Sequence, residues 1–161
     1  IKNNSIILDI GCGTGNLLKL LSEKKKDLKL FGIDISENML KIAKKKLGNK
    51  AVLKETSAEN MRFTEKFDYI FSIDAFHHYS NQELVLKNIK NLLKEHGTFI
   101  LVDFSFGKFF NKIFHYIEPG NSKMHTSLEF INLLKQHDFK EIKQKKIGIF
   151  SVLTIGKNYK R

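Results

Sequence analysis

The sequence has one cysteine, Cys12, one proline, Pro119, no tryptophan, and only two arginines, Arg62 and Arg161, among its 28 basic residues. A lone thiol excludes an internal disulfide and fits a reducing compartment, so a cytoplasmic protein is expected. Clustered cysteines are absent and no two histidines stand at i, i+4, so no metal site is expected. No apolar run approaches the roughly 20 residues of a membrane span, and the N-terminus carries no signal-peptide pattern. The chain opens on Ile1 rather than methionine, which points to residues upstream.

The scarcity of arginine bears on the charge. A formal net charge of +11 invites a nucleic-acid reading. Bidentate recognition of phosphate or guanine recruits arginine, however, and the basic residues here are lysines. They come in runs, Lys24–Lys26 and Lys44–Lys46, near the ends of expected helices, where cations suit the helix dipole. A solvated basic surface is expected, and nucleic acid is argued down as a partner. At 161 residues with 42% hydrophobic and 28% charged content, the chain suffices for one domain with a real core and not for two.

What is present is an alternation of strand-like and helix-like segments. Ser5–Ile10 reads as a short apolar strand, and Asn16–Glu23 as a helix with Leu17, Leu18, Leu20 and Leu21 on its apolar face. Leu28–Ile33 is a second strand ending at Asp34. Ser36 is an expected N-cap for a helix with Met39, Leu40, Ala43 and Leu47 inward, stopped by Gly48 or Asn49. Lys50–Glu55 is a weaker third strand and Phe67–Ile73 a strong fourth. Ser80-x-x-Glu83 is a capping-box candidate for a helix carrying Leu84, Val85, Ile89, Leu92 and Leu93. Gly97 is expected to turn the chain into a fifth strand, Thr98–Phe104. Thr126-x-x-Glu129 opens another helix, with Phe130, Ile131 and Leu134 inward. Phe139–Lys145 and Ile147–Ile155 form a final antiparallel pair. Apolar strands alternating with helices imply an α/β fold, a mostly parallel sheet covered on both faces. Such sheets bind ligands beyond the carboxyl ends of their strands. The glycines after strand one, Asp34 after strand two and the residues after Ile73 therefore gather at one rim.

The stretch Ile7–Leu18, ILDIGCGTGNLL, sets a chemical problem. Gly11-x-Gly13-x-Gly15 lacks the third glycine position of the dinucleotide fingerprint, where Asn16 stands instead. A dinucleotide also lays a pyrophosphate over such a loop, and Asp9 would repel it. S-adenosylmethionine carries an ammonium and a sulfonium and no phosphate. The glycines bare the backbone to a ligand, and Asp9 favours a cation. Asp34, about twenty residues beyond the glycines, can accept hydrogen bonds from two ribose hydroxyls, a feature shared with NAD-binding proteins.

The segments ILDIGCGTGNLL, FGIDISENML, SAENMRF, FDYIFSIDAFHHYS and LLKEHGTFILVDF, in that order, resemble the successive motifs of class I S-adenosylmethionine-dependent methyltransferases. The similarity is greatest to the branch with the ubiquinone/menaquinone C-methyltransferases, and it runs from Ile6 to about Gly156. It implies a Rossmann-like three-layer sandwich with a seven-stranded, mostly parallel sheet whose last strand is antiparallel. It implies one domain over residues 1–161. By the resemblance, Asp9 and Gly11 lie near the methionine part of the cofactor, with Gly13 in the same loop and Thr14 just behind. Asp34 holds the ribose, Ile35 packs on the adenine face, Ser57 and Ala58 border the adenine edge, and Ile73 offers backbone to the amino-acid end. Two positions depart from the family pattern: Ser57 stands where Asp or Asn is frequent, and Glu95-His96-Gly97 where Pro-Gly-Gly is usual.

Methyl transfer from a sulfonium is an in-line displacement, so the protein mainly aligns the reactants and excludes water. A base is needed only where the acceptor loses a proton. His77 and His78 are the candidates, with Asp74 and Tyr79 beside them, and a packing role for the histidine pair stays open. A small-molecule methyl acceptor is the expected partner. Methylation of an exocyclic base amine goes with an Asn/Asp-Pro-Pro-aromatic motif, where this chain has Ser72-Ile73-Asp74-Ala75. Cytosine-carbon methylation needs a nucleophilic cysteine, and Cys12 belongs to the glycine loop. Residues 104–126, with Phe104, Phe106, Phe109, Phe110, Phe114 and Tyr116, are a candidate insertion capping the substrate or an extra helix on the sheet. Two other functions stay open: an NAD(P)-dependent oxidoreductase on a similar fold, and a non-catalytic S-adenosylmethionine-binding partner subunit.

Overall fold

The computed structural model describes residues 1–105 and 124–159. The described strands are β1 (Ile6–Ile10), β2 (Lys29–Asp34), β3 (Ala51–Glu55), β4 (Phe67–Ile73), β5 (Leu93–Phe104), β6 (Phe139–Lys146) and β7 (Ser151–Asn158). The described helices are α1 (Asn16–Lys24), α2 (Glu37–Leu47), α3 (Gln82–Leu92) and α4 (Ser127–Gln136), with a 3-10 turn at Phe76–His78. One sheet holds all seven strands in the order β3-β2-β1-β4-β5-β7-β6. The first five pair in parallel, and β7 runs antiparallel to both β5 and β6. This is the Rossmann-like sheet with an antiparallel last strand that the sequence implies. Of the candidate capping insertion, Phe106, Phe109, Phe110, Phe114 and Tyr116 lie outside the described residues.

Because successive strand residues point to opposite faces, each strand feeds two cores. Ile7 and Leu30 pack with Leu18, Leu21, Leu40, Ala43 and Leu47 beneath α1 and α2. Leu8, Ile10 and Ile70 pack with Val85, Ile89, Phe130 and Leu134 beneath α3 and α4. Each of the Leu, Ile, Val and Phe side chains among these contributes about 1.5–3 kcal/mol when fully buried, which is what presses the helices onto both faces. Met39 faces solvent and Ile131 is half-buried, while Leu133 takes an inward position on α4.

Two helix starts follow the expected chemistry. Ser36 Oγ accepts from the Met39 N–H at 3.3 Å. Thr126 and Glu129 form both halves of a capping box, with Thr126 N–H donating to Glu129 Oε2 at 2.7 Å and Glu129 N–H to Thr126 Oγ1 at 3.3 Å.

Two expectations are corrected. The cap of α3 is Asn81, not Ser80: its Oδ1 accepts from the Leu84 N–H at 3.0 Å. The arm that Glu83 would supply comes from a distant residue, Glu59, whose Oε1 accepts from the Asn81 N–H at 3.2 Å. With the helix starting later, Leu84 turns to solvent and Leu86 joins Val85, Ile89 and Leu92 in the core. The fifth strand also begins before Gly97, at Leu93, which pairs with Phe67. The register shifts between Phe67 and Tyr69, opposite His96, which sits at φ 59°. Residues 94–97 face the single residue Asp68, so the chain turns inside the strand before pairing resumes at Thr98.

Candidate functional site

The parallel strands β1, β2, β3 and β4 end on one rim, and a cavity of about 550 Å³ opens there. Its wall is built from the turns after each strand: Gly11 after β1, Asp34 and Ile35 after β2, Thr56 to Asn60 after β3, and Asp74, Ala75 and His78 after β4.

Gly11 explains why the first turn needs glycine. Its φ is +72°, and a Cβ there would meet the Ala75 Cβ at 2.5 Å, so only a bare backbone lets β1 and β4 approach this closely. The turn is tied down by the Gly11 and Cys12 N–H groups, both donating to Ile33 O at 2.9 Å. Asp34 then joins two turns. Its Oδ2 accepts from the Gly13 N–H at 2.8 Å and its Oδ1 from the Ser36 N–H at 2.9 Å. A carboxylate offers about four acceptor positions, so each oxygen keeps one for a ligand at the cavity wall.

Asp9 sits directly behind this loop, nearly fully buried. Burial first, and the neighbouring Asp34 second, push its carboxyl from 3.8 up to about 8. Near neutral pH it is held largely in its neutral form, poised to ionise beside a cation. The Cys12 thiol is pushed up to about 12 by burial, Asp9 and Asp34, so it presents no nucleophilic thiolate.

The β4 side is held by Tyr79, whose hydroxyl donates to Ile10 O at 3.1 Å and lies 2.9 Å from Ser72 Oγ. Asp74 stands at φ 50°, a left-handed conformation uncommon for a residue other than glycine. Its N–H donates to Val102 O at 2.9 Å. Burial, helped by Asp103 and opposed by His77, raises its carboxyl above the ordinary range. Deeper in, Asp103 is fully buried and gathers three N–H groups: the His77 backbone at 3.0 Å, His77 Nδ1 at 2.6 Å and the Phe104 backbone at 2.7 Å. A carboxylate only accepts, so His77 Nδ1 is the donor in this pair. The His77 and His78 rings lie 4.0 Å apart, and His78 is on the cavity wall.

Of the nine residues expected around the cofactor, Gly11, Asp34, Ile35, Ser57 and Ala58 line the cavity, while Asp9, Gly13, Thr14 and Ile73 stand outside its wall. Gly13 serves through its N–H to Asp34. Thr14 Oγ1 accepts from Lys46 Nζ at 3.2 Å, and Ile73 packs against the core beneath α1 and α2. Of the two histidines, His78 lines the cavity and His77 is drawn away to Asp103. Sequence reasoning passed over Ile10, Thr56, Glu59, Asn60 and Ser80, all on the wall. The signal for Thr56 was available, since it follows the last residue of β3 and strand ends mark such sites. Among the described residues no group of three or more His, Cys, Asp or Glu side chains could hold a metal ion, and no helix is long and apolar enough to cross a membrane.

A 3-2-1-4-5-7-6 sheet with a glycine turn after β1 and an acidic residue ending β2 defines a domain of the class I S-adenosylmethionine-dependent methyltransferase type. The family's sequence profile, that of a methyltransferase domain, matches residues 1–151, and the chain belongs to that family. It is 27% identical over 156 residues to a demethylmenaquinone methyltransferase of Thermotoga maritima, covering 94% of this chain and 65% of the relative. It is 32% identical over 127 residues to N-methyltransferase 4 of Papaver somniferum, covering 75% of this chain and 36% of the relative. The chain thus spans about one third to two thirds of the length of these relatives. Its fold superimposes on human N-acetylserotonin methyltransferase, solved in complex with S-adenosylmethionine. That likeness has a TM-score of 0.78 at 16% identity and covers 97% of this chain and 48% of that one.

Proposed function

We propose that this chain transfers a methyl group from S-adenosylmethionine to a small-molecule acceptor by in-line displacement. The observation that carries this reading is the charge of the cavity wall. In a chain of net charge +11, Asp34, Glu59 and Asp74 line the cavity, and among the described residues no lysine or arginine does. A carboxylate about 4 Å from a unit charge is worth roughly 1 kcal/mol in water and about 4 kcal/mol near a protein surface. A pyrophosphate would meet these carboxylates with no counter-charge from the described residues, whereas a sulfonium and an ammonium gain from them.

The residues fit such a donor part by part. Asp34 keeps acceptor positions free for ribose hydroxyls. Ile35, 75% exposed on the wall, offers an apolar platform that a flat ring would cover. Ser57 and Ala58 border the same side, and Gly11 with Gly13 keeps the loop thin. Asp9, behind the loop, ionises as a cation arrives, with Thr14 and Ile73 supporting the loop and the strand end. Once bound, the donor supplies a methyl group that is already activated. The protein's share is to orient it, exclude water and, for an acceptor that must lose a proton, to receive that proton at His78 or His77.

Calorimetric titration with S-adenosylhomocysteine and, separately, NADH tests the reading. Binding of the first and not the second is expected. Tight binding of NADH with no displacement by S-adenosylmethionine would overturn it.

A further inference from the structure

Hairpin tips that face water are ordinarily built from Gly, Asn, Asp and Ser. The tip between β6 and β7 reads Ile147-Gly148-Ile149-Phe150, and it follows Lys145 and Lys146. All six residues are exposed, Ile147 at 49%, Ile149 at 76% and Phe150 at 53%. The tip is not a loose end. The Ile147 N–H donates to Ser151 O at 3.0 Å, and Phe150 O accepts from the Ser105 N–H at 2.7 Å, so the loop is pinned to the end of β5. Ser151 is the register partner of Phe104, the last residue of β5. The tip therefore stands on the rim where the parallel strands end and the cavity opens. Leu128, 65% exposed, joins it from the start of α4, since Gln144 Nε2 donates to Ser127 O at 2.8 Å.

Charge decides what covers this patch. From Ile142 to Arg161 the chain holds Lys143, Lys145, Lys146, Lys157, Lys160 and Arg161 and no acidic residue. Among the described residues, Lys143, Lys145 and Lys146 form no ion pair. Protein interfaces are depleted in lysine and their hot spots are tyrosine, tryptophan and arginine; of the enriched aromatics the tip offers only Phe150. A second copy placed face to face across a two-fold axis would set lysine against lysine. Large apolar side chains flanked by lysines are instead the pattern of a segment lying in the interface of an anionic bilayer.

We propose that the Lys145–Phe150 tip docks this protein onto anionic lipid bilayers, with Ile147, Ile149 and Phe150 entering the headgroup boundary and the lysines meeting the lipid phosphates. Docked in this way, the rim that carries the cavity faces the lipid. The proposal does not depend on methyl transfer, and its test does not read it.

The test is co-sedimentation of the chain with vesicles of phosphatidylcholine alone and with roughly a third phosphatidylglycerol, where headgroup charge adds about a fivefold gain per lysine. Binding to the anionic vesicles is expected, with loss in about 0.5 M NaCl, where the screening length falls to a few ångströms. Ile149→Ser with Phe150→Ser should lower partitioning about tenfold or more by removing apolar burial. Lys145→Ala and Lys146→Ala should each lower it about fivefold. Lys25→Ala with Lys26→Ala, beyond α1 at the opposite rim, should leave it unchanged. Circular dichroism and S-adenosylhomocysteine titration of each variant show that the domain is folded and its cavity intact. Equal partitioning of the tip variants, an equal loss in the Lys25/Lys26 variant, or a wild-type dimer that Phe150→Ser dissociates while vesicles bind neither form would each overturn the proposal.

Discussion

Two carboxylates at the strand-end rim show how the two flanks of the sheet divide their work. Asp34, ending β2, accepts two backbone N–H groups, lines the cavity and keeps acceptor positions open to it. Asp103, near the end of β5, is fully buried, accepts three N–H groups and stands outside the cavity wall. The first can act on a ligand directly; the second acts only through His77, whose ring it fixes. Asp9 belongs to the first flank but is as hidden as Asp103, and burial with the neighbouring Asp34 pushes its carboxyl up to about 8. Burial alone does not say what a carboxylate does; its donors do.

The largest effect expected from this contrast is a pH dependence. The Asp9 carboxyl rises from 3.8 to about 8 on folding, through burial and then Asp34, so the folded chain holds this proton more tightly than the unfolded one. The stabilisation is fully present below 3.8 and is lost as pH rises through about 8, on the order of 5 kcal/mol across that window. Asp9→Asn should abolish this part of the decline in urea-denaturation profiles of the ligand-free chain. The variant should match wild type near pH 4 and exceed it near pH 9. A wild-type profile that stays flat over this range would show that water reaches Asp9. Next in size is the glycine turn. Gly11→Ala places a Cβ 2.5 Å from Ala75 Cβ at a positive φ and should cost about 3–5 kcal/mol. Gly13→Ala, with nothing within 4 Å of its Cβ position, should cost only about 1 kcal/mol. Equal costs would mean that backbone conformation, not the β1–β4 contact, makes Gly11 necessary.

The glycine turn and Asp34 were legible because they are set by local backbone demands, which leave a spacing in the sequence. So were β1 to β4, whose apolar runs end at turn residues. The cap of α3 was not, because Ser80 and Asn81 are equally good caps by type. The choice fell to Glu59, a residue distant in the chain that bonds the Asn81 N–H. The early start of β5 was hidden for a similar reason: Gly97 marks the turn before Thr98, and the pairing of Leu93 with Phe67 ahead of it is made only by the sheet. At the site, Asp34 follows from the end of a strand in register with the glycine turn, whereas Ile35, Ser57 and Ala58 are expected only from the family resemblance. Glu59, Asn60 and Ser80 reach the wall through the path of a turn, which no periodicity records. The link between His77 and Asp103 spans 26 residues and joins two strand ends, a contact made only by the sheet.

A direct test sets the two carboxylates against each other. Asp34→Ala should weaken S-adenosylhomocysteine binding by about 1–3 kcal/mol, the scale for hydroxyl and amide donors left without an acceptor, while the fold survives. Asp103→Asn should do the opposite, lowering stability by about 1.5–3 kcal/mol through weaker charge-assisted bonds to His77 and Phe104 while leaving affinity within about twofold. Calorimetry and thermal denaturation of both variants read the two effects separately. If Asp103→Asn weakens the ligand as much as Asp34→Ala does, the division between the flanks fails.

The smallest effect concerns Ser57, the departure from the family pattern that falls on the cavity wall. Its Oγ accepts from the Asn60 N–H at 3.3 Å, so the hydroxyl is engaged in closing the turn after β3. A serine occupied in this way reaches less far into the cavity than an asparagine would. Ser57→Asn can keep the Asn60 contact through its carbonyl oxygen and still extend its amide towards the cavity. One added hydrogen bond, net of desolvation, is worth about 0.5–1.5 kcal/mol. Affinity for S-adenosylhomocysteine should therefore rise about two- to tenfold, and S-adenosine ligands lacking the adenine amino group should gain less. A uniform gain across such analogues would place the new contact away from the base edge and move the adenine off the Ser57–Ala58 side of the cavity.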